Sequence, residues 1–327
     1  MANGLQLDNM KKIVYVTGCL GFIGAYVTRA CLERGWYVIG VDSVTYAARK
    51  QNLDEFYKYG DHFKYLHYDI NELTSLYDCD YIINLAAETH VDNSIAGSDE
   101  FLRSNIQGVH NLLRLIQNKH RFKMPVLVHF STDEVYGDIP LEQGSHYEHD
   151  LLLPSNPYSA TKASADMLIT AWYRTFQVPY LIVRPTNNYG VGQYIEKFIP
   201  KTIQYLALGR KVPLHEMGTP RRTWLHAQDT ADALVFLLES GAQNDIFNIS
   251  GNYEDSNLNI FRKILSCFQY NPDHYETYAD FSVKRPGQDV RYSIDDTKLR
   301  RLGWTNQKIF DAELPAIVEY HRSRFIW

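Results

Sequence analysis

The fold class of this chain is indicated by residues Lys12–Asp42, which read KIVYVTGCLGFIGAYVTRACLERGWYVIGVD. It opens with a short β-branched apolar run, Lys12–Thr17, which is typical of a strand buried on both faces of a parallel sheet. A glycine-rich turn follows, then a helical stretch from Ala25 to Arg34 that Gly35 closes, and a second buried strand at Tyr37–Val41. This order of elements predicts a βαβ unit.

The same rhythm continues through the first two thirds of the chain. Further short apolar runs predict strands at Phe63–Leu66, Tyr81–Leu85, Val126–Phe130, Tyr180–Val183 and Ile246–Ile249. Helical patterns separate most of these runs, at Phe101–Lys119, Ser159–Phe176 and Gln228–Ser240. We therefore predict an α/β protein with a doubly wound (Rossmann) parallel sheet.

After Asn187 the alternation loosens, and segments that mix Pro, Gly, Tyr and charged residues take its place. We expect these segments to form a smaller, interleaved substrate-binding domain. The predicted division assigns residues 1–186 and 224–250 to the Rossmann domain, and residues 187–223 and 251–327 to the smaller one. No Gly/Ser-rich or Pro-rich linker separates them, so the two parts are expected to share an interface.

The overall composition excludes several classes of protein. The 327 residues are 45% hydrophobic and 22% charged, which is ordinary globular usage and excludes a disordered chain. Lys and Arg total 33 against 38 Asp and Glu, and the net charge of −5 disfavours nucleic acid and membrane surfaces as partners. The four cysteines match no zinc pattern, and no signal peptide or spanning segment is predicted, so we expect a metal-free cytoplasmic protein.

The glycines form a G-x-x-G-x-x-G motif, Gly18–Gly24, between the first strand and the first helix. Glycine permits a sharp turn and a close approach to a pyrophosphate, and the helix N-terminus offers free N–H groups. Asp42 lies 18 residues after Gly24, where a carboxylate accepts both hydroxyls of an adenosine ribose and repels a 2′-phosphate. The motif therefore predicts NAD in preference to NADP; the alternative is an ordinary βαβ turn with a solvated Asp.

A polar segment, Ser131–Gly137 (STDEVYG), follows the predicted strand Val126–Phe130. Ligands bind outside the carboxyl ends of strands in an open α/β sheet, so Thr132, Asp133 and Glu134 are expected to face the active site. Two carboxyl groups with separated pKa values can act as an acid and a base. The carboxyl groups alone leave an equal alternative, which is a turn with a helix N-cap.

Tyr158 and Lys162 lie four residues apart, and Asn156-Pro157 before them is typical of a helix start. The spacing places both side chains on one helix face, where the ammonium group would lower the pKa of the phenol. The phenolate could then remove a hydroxyl proton while a hydride leaves the same carbon. The pair is common by chance, but its combination with the glycine turn and Thr132 is specific.

Together these motifs resemble the extended short-chain dehydrogenase/reductase family, and most closely its nucleotide-sugar 4,6-dehydratase branch. The resemblance runs from about Lys12 to Trp304. The segments that carry it are Thr17–Gly24, Asn84–Ile95, His129–Gly137, Pro157–Lys162, Asn187–Gly190, Glu196–Pro200, Arg222–Asp229 and Arg285–Asp295. The Thr-Asp-Glu unit is the most specific, because the epimerase and reductase branches lack an acid pair there.

The resemblance implies a reaction in which NAD is reduced and regenerated within each turnover. By matching position, Tyr158 removes the O4 proton as NAD takes the C4 hydride, while Lys162 lowers the Tyr158 pKa and holds the nicotinamide ribose. Thr132 hydrogen-bonds the O4 region. Glu134 is the implied base for the C5 proton, and Asp133 is the implied acid for the C6 hydroxyl, which leaves as water. NADH then returns its hydride to C6, which gives a 4-keto-6-deoxy nucleotide sugar.

The resemblance also implies the binding residues. For NAD they are Gly18, Gly21, Phe22, Ile23, Gly24, Asp42, Asp69, Ile70, Ala86, Ala87, Asn105, Tyr158 and Lys162. For the diphosphate and sugar of the substrate they are Asn187, Glu196, Lys197, Arg222 and Arg285. The implied partner is a nucleotide-diphosphate sugar of the dTDP- or UDP-glucose type. The family also implies a homodimer formed through Phe101–Lys119 and Ser159–Phe176.

Some choices stay open at this point. Some residues that flank the implied substrate pocket depart from the usual pattern of the family, such as Gln288 in place of a common His. These departures leave the identity of the nucleotide and of the sugar undecided. The Asp133-Glu134 pair argues against a 4-epimerase or a decarboxylase, but not against a dehydratase that stops at the 5,6-ene. A non-catalytic NAD-binding scaffold is disfavoured, because all five implied catalytic residues are present. His90 and His129 are expected to be structural.

Overall fold

The structure is a computed structural model that describes residues 12–119, 124–283, 286 and 289–324. The described residues form twelve strands: β1 (Ile13–Thr17), β2 (Tyr37–Asp42), β3 (Phe63–His67), β4 (Tyr81–Asn84), β5 (Val126–Phe130), β6 (Tyr180–Pro185), β7 (Asn187–Tyr189), β8 (Val212–Pro213), β9 (Arg221–His226), β10 (Asp245–Ile249), β11 (Tyr253–Ser256) and β12 (Ala279–Asp280). The helices of the same residues are α1 (Phe22–Glu33), α2 (Asn52–Phe56), α3 (Val91–Ala96), α4 (Asp99–Leu102), α5 (Gly108–Gln117), α6 (Pro157–Phe176), α7 (Phe198–Ala207), α8 (Ala227–Glu239), α9 (Asn257–Cys267), α10 (Thr297–Arg301) and α11 (Phe310–Arg322).

Seven of the strands form one sheet in the order β10-β6-β5-β4-β1-β2-β3, and every pairing in it is parallel. The strand order reverses between β1 and β4, so a crevice opens at their carboxyl ends. This topology confirms the predicted doubly wound sheet. It also places the ends of β1, β4 and β5 side by side, with Thr17 opposite Asn84 and Asn84 opposite His129.

The sheet is buried on both faces because its strands are rich in β-branched and other apolar residues. Alternate residues such as Val14 and Val16 point to one face, where they pack with α1 and α8. Tyr15, Ile82 and Leu127 point to the other face, where they pack with α5 and α6. Each fully buried side chain of this kind contributes roughly 1.5–3 kcal/mol to folding. The two apolar layers therefore hold the carboxyl edge of the sheet in place.

The predicted strands of the sheet and its main helices are present, with shifted ends. The first helix begins at Phe22 and not at Ala25, because Gly21 is its N-terminal capping residue. The helical pattern at Phe101–Lys119 does not form one regular α-helix. A π-helical turn at Arg103–Gln107 joins α4 to α5 and ends the regular hydrogen bonding there. Turns of this kind are rare and are frequently found at functional sites.

A second set of elements packs around a three-stranded sheet of order β11-β9-β7. Helices α7, α9 and α11 contribute to its apolar cluster, with Ile203, Phe261 and Leu314 among the buried residues. Leu299 and Trp304, from the last part of the chain, pack instead with the large sheet. The two-domain division remains a proposal. Of the helices that the structure describes, none is both long and apolar enough to cross a bilayer.

Candidate active site

The glycine turn between β1 and α1 leaves room for a ligand on its outer side. Gly18 has a φ of +67°, and a Cβ added there would lie 2.9 Å from the backbone nitrogen of Ala86. A Cβ on Gly24 would lie 1.9 Å from the carbonyl oxygen of Gly18. No side chain caps the N-terminus of α1. This backbone cradle at a free helix start fits the pyrophosphate of a dinucleotide.

Asp42 lies at the end of β2, beside this cradle. Its carboxylate accepts the backbone N–H of Leu20 at 2.9 Å and that of Val44 at 2.8 Å. Burial raises the pKa of Asp42, and these two hydrogen bonds oppose the increase. The carboxylate therefore fixes the glycine turn as well as lining the cavity beside it. Its predicted contact with a ribose remains a prediction.

A continuous cleft follows the carboxyl edge of the sheet and brings together the predicted site residues. Its first part is lined by the predicted adenosine-side residues Asp42, Asp69, Ile70, Ala86 and Ala87. Its middle part is lined by residues of the glycine turn and by Thr132, Asp133, Glu134, Tyr158 and Lys162. Its last part lies against the second set of elements and is lined by Glu134, Asn187, Glu196, Lys197 and Arg222.

Asn105 is the predicted cofactor residue that lies behind the cleft. It belongs to the π-helical turn and is buried. Its side-chain Oδ1 accepts the backbone N–H of Glu88 at 2.9 Å. Its side-chain Nδ2 donates to the backbone carbonyl oxygen of Glu88 at 3.0 Å and to Thr161 Oγ1 at 2.9 Å. Asn105 therefore joins the loop after β4 to α6, and any effect on the cofactor would pass through this loop.

The Thr-Asp-Glu unit turns sharply as β5 ends, and a short 3₁₀ turn begins at Asp133. Thr132 is the capping residue of this turn. Its Oγ1 accepts the backbone N–H of Glu134 at 3.3 Å and donates to Asp133 Oδ1 at 3.1 Å. The N-cap that the sequence offered as an alternative is therefore present, together with the placement of both carboxyl groups in the cleft.

Burial shifts both carboxyl groups toward their protonated forms. Burial, and then the charge of Glu134, raises the pKa of Asp133 to about 7, against the hydrogen bond from Thr132. Within the described part of the chain, Asp133 Oδ2 has no hydrogen-bond partner. Burial also raises the pKa of Glu134, while the charges of Arg222 and Lys197 oppose that shift. A buried acid whose pKa is near neutrality is suited to proton transfer.

Tyr158 and Lys162 lie on the first turns of α6, which Pro157 begins. Asn156 caps this helix, accepting the backbone N–H of Ser159 at 2.9 Å. Burial, and then the charge of Glu134, raises the pKa of Tyr158, while a hydrogen bond with Thr132 lowers it. Lys162 is not among the groups that shift this pKa, so its predicted effect on the phenol remains a prediction.

Lys162 is held by groups at the end of β5. Its ammonium donates to the carbonyl oxygen of Phe130 at 2.5 Å and lies 3.3 Å from His129 Nε2. Burial lowers the pKa of Lys162 to about 8. Burial, followed by the charges of Lys162 and Arg184, places the pKa of His129 well below its ordinary value. His129 is therefore a neutral partner of the lysine.

Sequence reasoning missed this contact of His129. A signal was present, because Thr17, Asn84 and His129 are polar residues at the end of an apolar run or one residue before it. Neighbouring strands place them in one row, where Thr17 donates to Asn84 at 2.6 Å and Asn84 lies 3.2 Å from His129. The sequence did not reveal that these strands are neighbours in this register.

The predicted substrate residues surround the last part of the cleft. The Arg222 guanidinium lies 4.3 Å from the centre of the Tyr292 ring and donates to the carbonyl oxygen of Asp289 at 3.2 Å. Lys197 donates to the carbonyl oxygen of Thr89 at 2.8 Å. Glu196 accepts a hydrogen bond from the hydroxyl of Tyr46 at 3.3 Å. These charges lie at the opposite end of the cleft from the adenosine-side residues.

Further residues of the motif segment Arg285–Asp295 concern this last part of the cleft. Arg285, the remaining predicted substrate residue, lies outside the described residues, as does Gln288. Tyr292 and Asp289 were not named as site residues, although both belong to the motif segment Arg285–Asp295. They line the cleft beside Arg222, and the Tyr292 hydroxyl donates a hydrogen bond to Asp289. Their position inside this motif segment was the available signal.

Comparison with known protein sequences supports the family resemblance found in the sequence. The sequence model of the GDP-mannose 4,6 dehydratase family matches residues 15–315. The chain is 39% identical over 315 residues to the low-salt glycan biosynthesis protein Agl12 of Haloferax volcanii, covering 94% of this chain and 98% of that protein. It is 35% identical over 332 residues to a dTDP-glucose 4,6-dehydratase of Haemophilus influenzae, covering 94% and 97% of the two chains.

Solved structures agree with the sequence comparisons. The dTDP-glucose 4,6-dehydratase DesIV of Streptomyces venezuelae, crystallised with NAD, matches with a TM-score of 0.87 at 34% identity. The match covers 95% of this chain and 97% of that one. The predicted family is therefore confirmed, and NAD, which the glycine cradle fits, is the cofactor. This chain belongs to the nucleotide-sugar 4,6-dehydratase branch of the extended short-chain dehydrogenase/reductase family.

Proposed function

We propose that this enzyme converts a dTDP- or UDP-glucose type nucleotide sugar into its 4-keto-6-deoxy form. One observation carries the proposal. Asp133 is buried and Glu134 is half-buried beside it at the end of β5, in the same cavity as Tyr158 and Lys162. A hydroxyl oxidation needs the tyrosine and the lysine, whereas loss of water also needs an acid and a base.

The glycine turn would hold the pyrophosphate of NAD, and Asp42 the adenosine ribose. When bound, NAD supplies a reversible store for the hydride that moves from C4 to C6 of the sugar. Lys162 of α6 lines the same cavity and would hold the nicotinamide ribose. The neutral His129 and the Phe130 carbonyl fix its ammonium without opposing its charge. We propose that this cation favours the phenolate form of Tyr158 when the cleft is filled.

Tyr158 is proposed to remove the proton from O4, with Thr132 hydrogen-bonded in the O4 region. Glu134 would take the proton from C5, which the adjacent ketone makes acidic. Asp133 would give a proton to the C6 hydroxyl as it leaves. The raised pKa of Asp133, about 7, supports the acid role, because a carboxyl group with an ordinary pKa would be ionised at neutral pH.

The remaining charges support a diphosphate at the far end of the cleft. Arg222 and Lys197 offer cationic donors there, and an arginine can bind phosphate oxygens through two parallel hydrogen bonds. Asn187 Oδ1 is buried and lacks a hydrogen-bond partner within the described residues, so it is available to a sugar hydroxyl. We propose these residues, with Glu196 and Arg285, as the substrate set.

We also propose a cytoplasmic homodimer. Helices α4 and α6 expose the apolar side chains Leu102, Met167 and Phe176, and a subunit interface through these helices would bury them. All four cysteines are free thiols, as is usual in a reducing compartment. Sedimentation as a monomer at micromolar concentration would contradict the dimer.

The experiment that tests the function is mass spectrometry of the products in deuterated water. The purified protein, with no added NAD, is incubated with dTDP-, UDP-, GDP- and CDP-hexoses. We expect loss of one water and gain of deuterium on a dTDP- or UDP-glucose type sugar. An unchanged mass with every sugar, also after addition of NAD, would contradict the proposed reaction. A dehydrated product without a C6 methyl group would indicate the 5,6-ene instead.

A further inference from the structure

Lys162 is a buried cation whose hydrogen-bonding neighbours, within the described residues, are uncharged. Its ammonium group donates to the carbonyl oxygen of Phe130 and lies 3.3 Å from His129 Nε2, and the residue is 3% exposed. Neither neighbour supplies a negative charge, because the low pKa of His129 leaves its ring neutral. A buried lysine without a counter-charge tends to lose its proton. The proposed reaction needs the ammonium form, so the source of its counter-charge matters.

Asp166 follows Lys162 by one turn of α6 and lies on the same face of this helix. Asp166 Oδ1 is 4.0 Å from His129 Nε2, the same ring nitrogen that faces the ammonium group. The two opposite charges therefore lie within about 7 Å of each other in a buried site, where screening is weak. In the part of the chain that the structure describes, Oδ1 has no hydrogen-bond partner, so its charge is not committed elsewhere.

The other oxygen of Asp166 is held by two donors. Oδ2 accepts hydrogen bonds from Ser131 Oγ and from Arg184 Nε, each at 3.0 Å. Burial raises the pKa of Asp166, whereas the charges of Arg184 and Lys162 and these two hydrogen bonds oppose the increase. An arginine stays charged in proteins, so its contact favours the carboxylate form. Anchoring of Oδ2 leaves Oδ1 on the side of His129.

We propose that Asp166 is the positioning residue that keeps Lys162 charged during oxidation at C4, with the neutral His129 between them. The inference rests on the proposed function, because that function requires the Lys162 cation. Asp166 is 2% exposed and acts through the lysine. Burial lowers the pKa of Lys162 to about 8, and the charge of Asp166 opposes this decrease. Without the carboxylate, the ammonium form would be lost at a lower pH.

Other titratable groups surround Lys162 and are the same in a variant of Asp166. On the cavity side and behind the ammonium group they are Tyr158, Asp133, Glu134, His129 and Arg184. From α3 and the π-helical turn, the side chains that bond to α6 are the neutral Ser94 and Asn105. A difference in pH dependence between wild type and Asp166→Asn would therefore report the lost carboxylate.

The size of the effect follows from the distance between the charges. At about 7 Å and an effective dielectric constant of about 20, loss of one charge changes a proton equilibrium roughly 50-fold. Asp166→Asn should therefore move the pKa of Lys162 further down from about 8. The ammonium form exists below this pKa, so the variant should be defective at pH 8 and nearly normal at pH 6.

The test isolates oxidation at C4 by using dTDP- and UDP-6-deoxyglucose, which carry a C4 hydroxyl but no C6 hydroxyl to lose. Formation of NADH is followed by stopped-flow absorbance, with excess holoenzyme over sugar, at pH 6 and at pH 8. Asp166→Asn removes the charge but keeps the shape of the side chain. Tyr136→Phe is the matched control, because the Tyr136 hydroxyl accepts a hydrogen bond from Arg184 at 2.7 Å and its loss leaves the carboxylate in place.

A second variant covers a failure of Asp166→Asn to fold. Asp166→Asn combined with Arg184→Gln removes the buried ion pair as a whole, so neither charge is left buried alone. Lys162 loses the same carboxylate, and the same pH-dependent defect is expected. Loss of water from dTDP- and UDP-glucose is measured in parallel with wild type.

We expect Asp166→Asn to form NADH at least about 10-fold more slowly than wild type at pH 8, and within about threefold of it at pH 6. Tyr136→Phe should match wild type at both pH values. The proposal is overturned if Asp166→Asn matches wild type at pH 8, or if it is equally slow at both pH values, as loss of structure alone would make it.

The outcomes also separate this inference from the proposed function. If wild type oxidises the 6-deoxy sugars but removes no water from the hexoses, the dehydratase proposal fails and the Asp166 comparison still decides the inference. If wild type forms NADH with none of these sugars, the role of Lys162 in C4 oxidation fails, and the role of Asp166 fails with it.

Discussion

Replacement of Asp133 by Asn should stop the reaction after the sugar has been oxidised. Asn keeps the shape of the side chain and an oxygen that can accept the hydrogen bond from Thr132, but it has no acidic proton for the C6 hydroxyl. General acids contribute about 10²–10⁴-fold to such steps. Tyr158, Lys162 and the glycine cradle are unchanged in the variant, so oxidation at C4 should proceed. We therefore expect bound NADH to accumulate in Asp133→Asn.

The raised pKa of Asp133 also predicts a pH dependence for the wild-type enzyme. The pKa of Asp133 is raised to about 7, so its acid form is present below that pH and is lost above it. About half of the enzyme carries the acid at pH 7 and roughly one tenth at pH 8, which follows from a pKa near 7. The rate of water loss should therefore fall about fivefold between these values, and this decline should be absent in Asp133→Asn.

The assay is stopped-flow absorbance of NADH in a single turnover, with excess enzyme over nucleotide sugar. Glu134→Gln is the matched control, because it also lets C4 oxidation proceed but removes the base for C5. In deuterated water, substrate recovered from Asp133→Asn should carry deuterium at C5, and substrate recovered from Glu134→Gln should not. Unchanged turnover in Asp133→Asn, with no NADH accumulation, would refute the acid role.

Four further variants address other parts of the site. Tyr158→Phe should lower turnover by about 10²–10⁴-fold without any NADH signal, because the O4 proton has no acceptor; normal turnover would contradict its role as the base. Gly24→Ala should yield protein without bound NAD, measured by absorbance after denaturation, since a Cβ there meets the glycine turn at 1.9 Å. Arg222→Ala should raise KM for the nucleotide sugar while leaving the NAD content unchanged; an unchanged KM would remove Arg222 from the substrate set. Asn105→Ala should lower the free energy of unfolding by about 1–3 kcal/mol in urea titrations, because buried backbone groups lose their partners.

The fold could be predicted because its signals are local. Each strand of the large sheet is a short apolar run, and the glycine turn Gly18–Gly24 links the first strand to the first helix at a spacing that few other structures require. The ends of the strands and helices were harder to predict from the sequence. The π-helical turn Arg103–Gln107 depends on contacts of Asn105 with residues before it and far after it in the chain, and no local pattern encodes those contacts.

The proposed catalytic residues could also be predicted from the sequence, since Thr132, Asp133 and Glu134 are consecutive. The last part of the cleft, where the substrate is proposed to bind, was harder to predict because it is assembled from distant segments of the chain. Tyr292 contacts Arg222 across 70 positions of sequence. His129 could not be assigned for the same reason, since its contact with Lys162 depends on how α6 packs on the sheet.

In the proposed reaction one hydride moves within the sugar, from C4 to C6. The most direct test uses dTDP- and UDP-glucose that carry deuterium at C4, incubated with the holoenzyme in ordinary water. Nuclear magnetic resonance of the product would locate the label. We expect a dehydrated product with the deuterium in its C6 methyl group. A product that keeps the label at C4, or a dehydrated product without the label at C6, would contradict it.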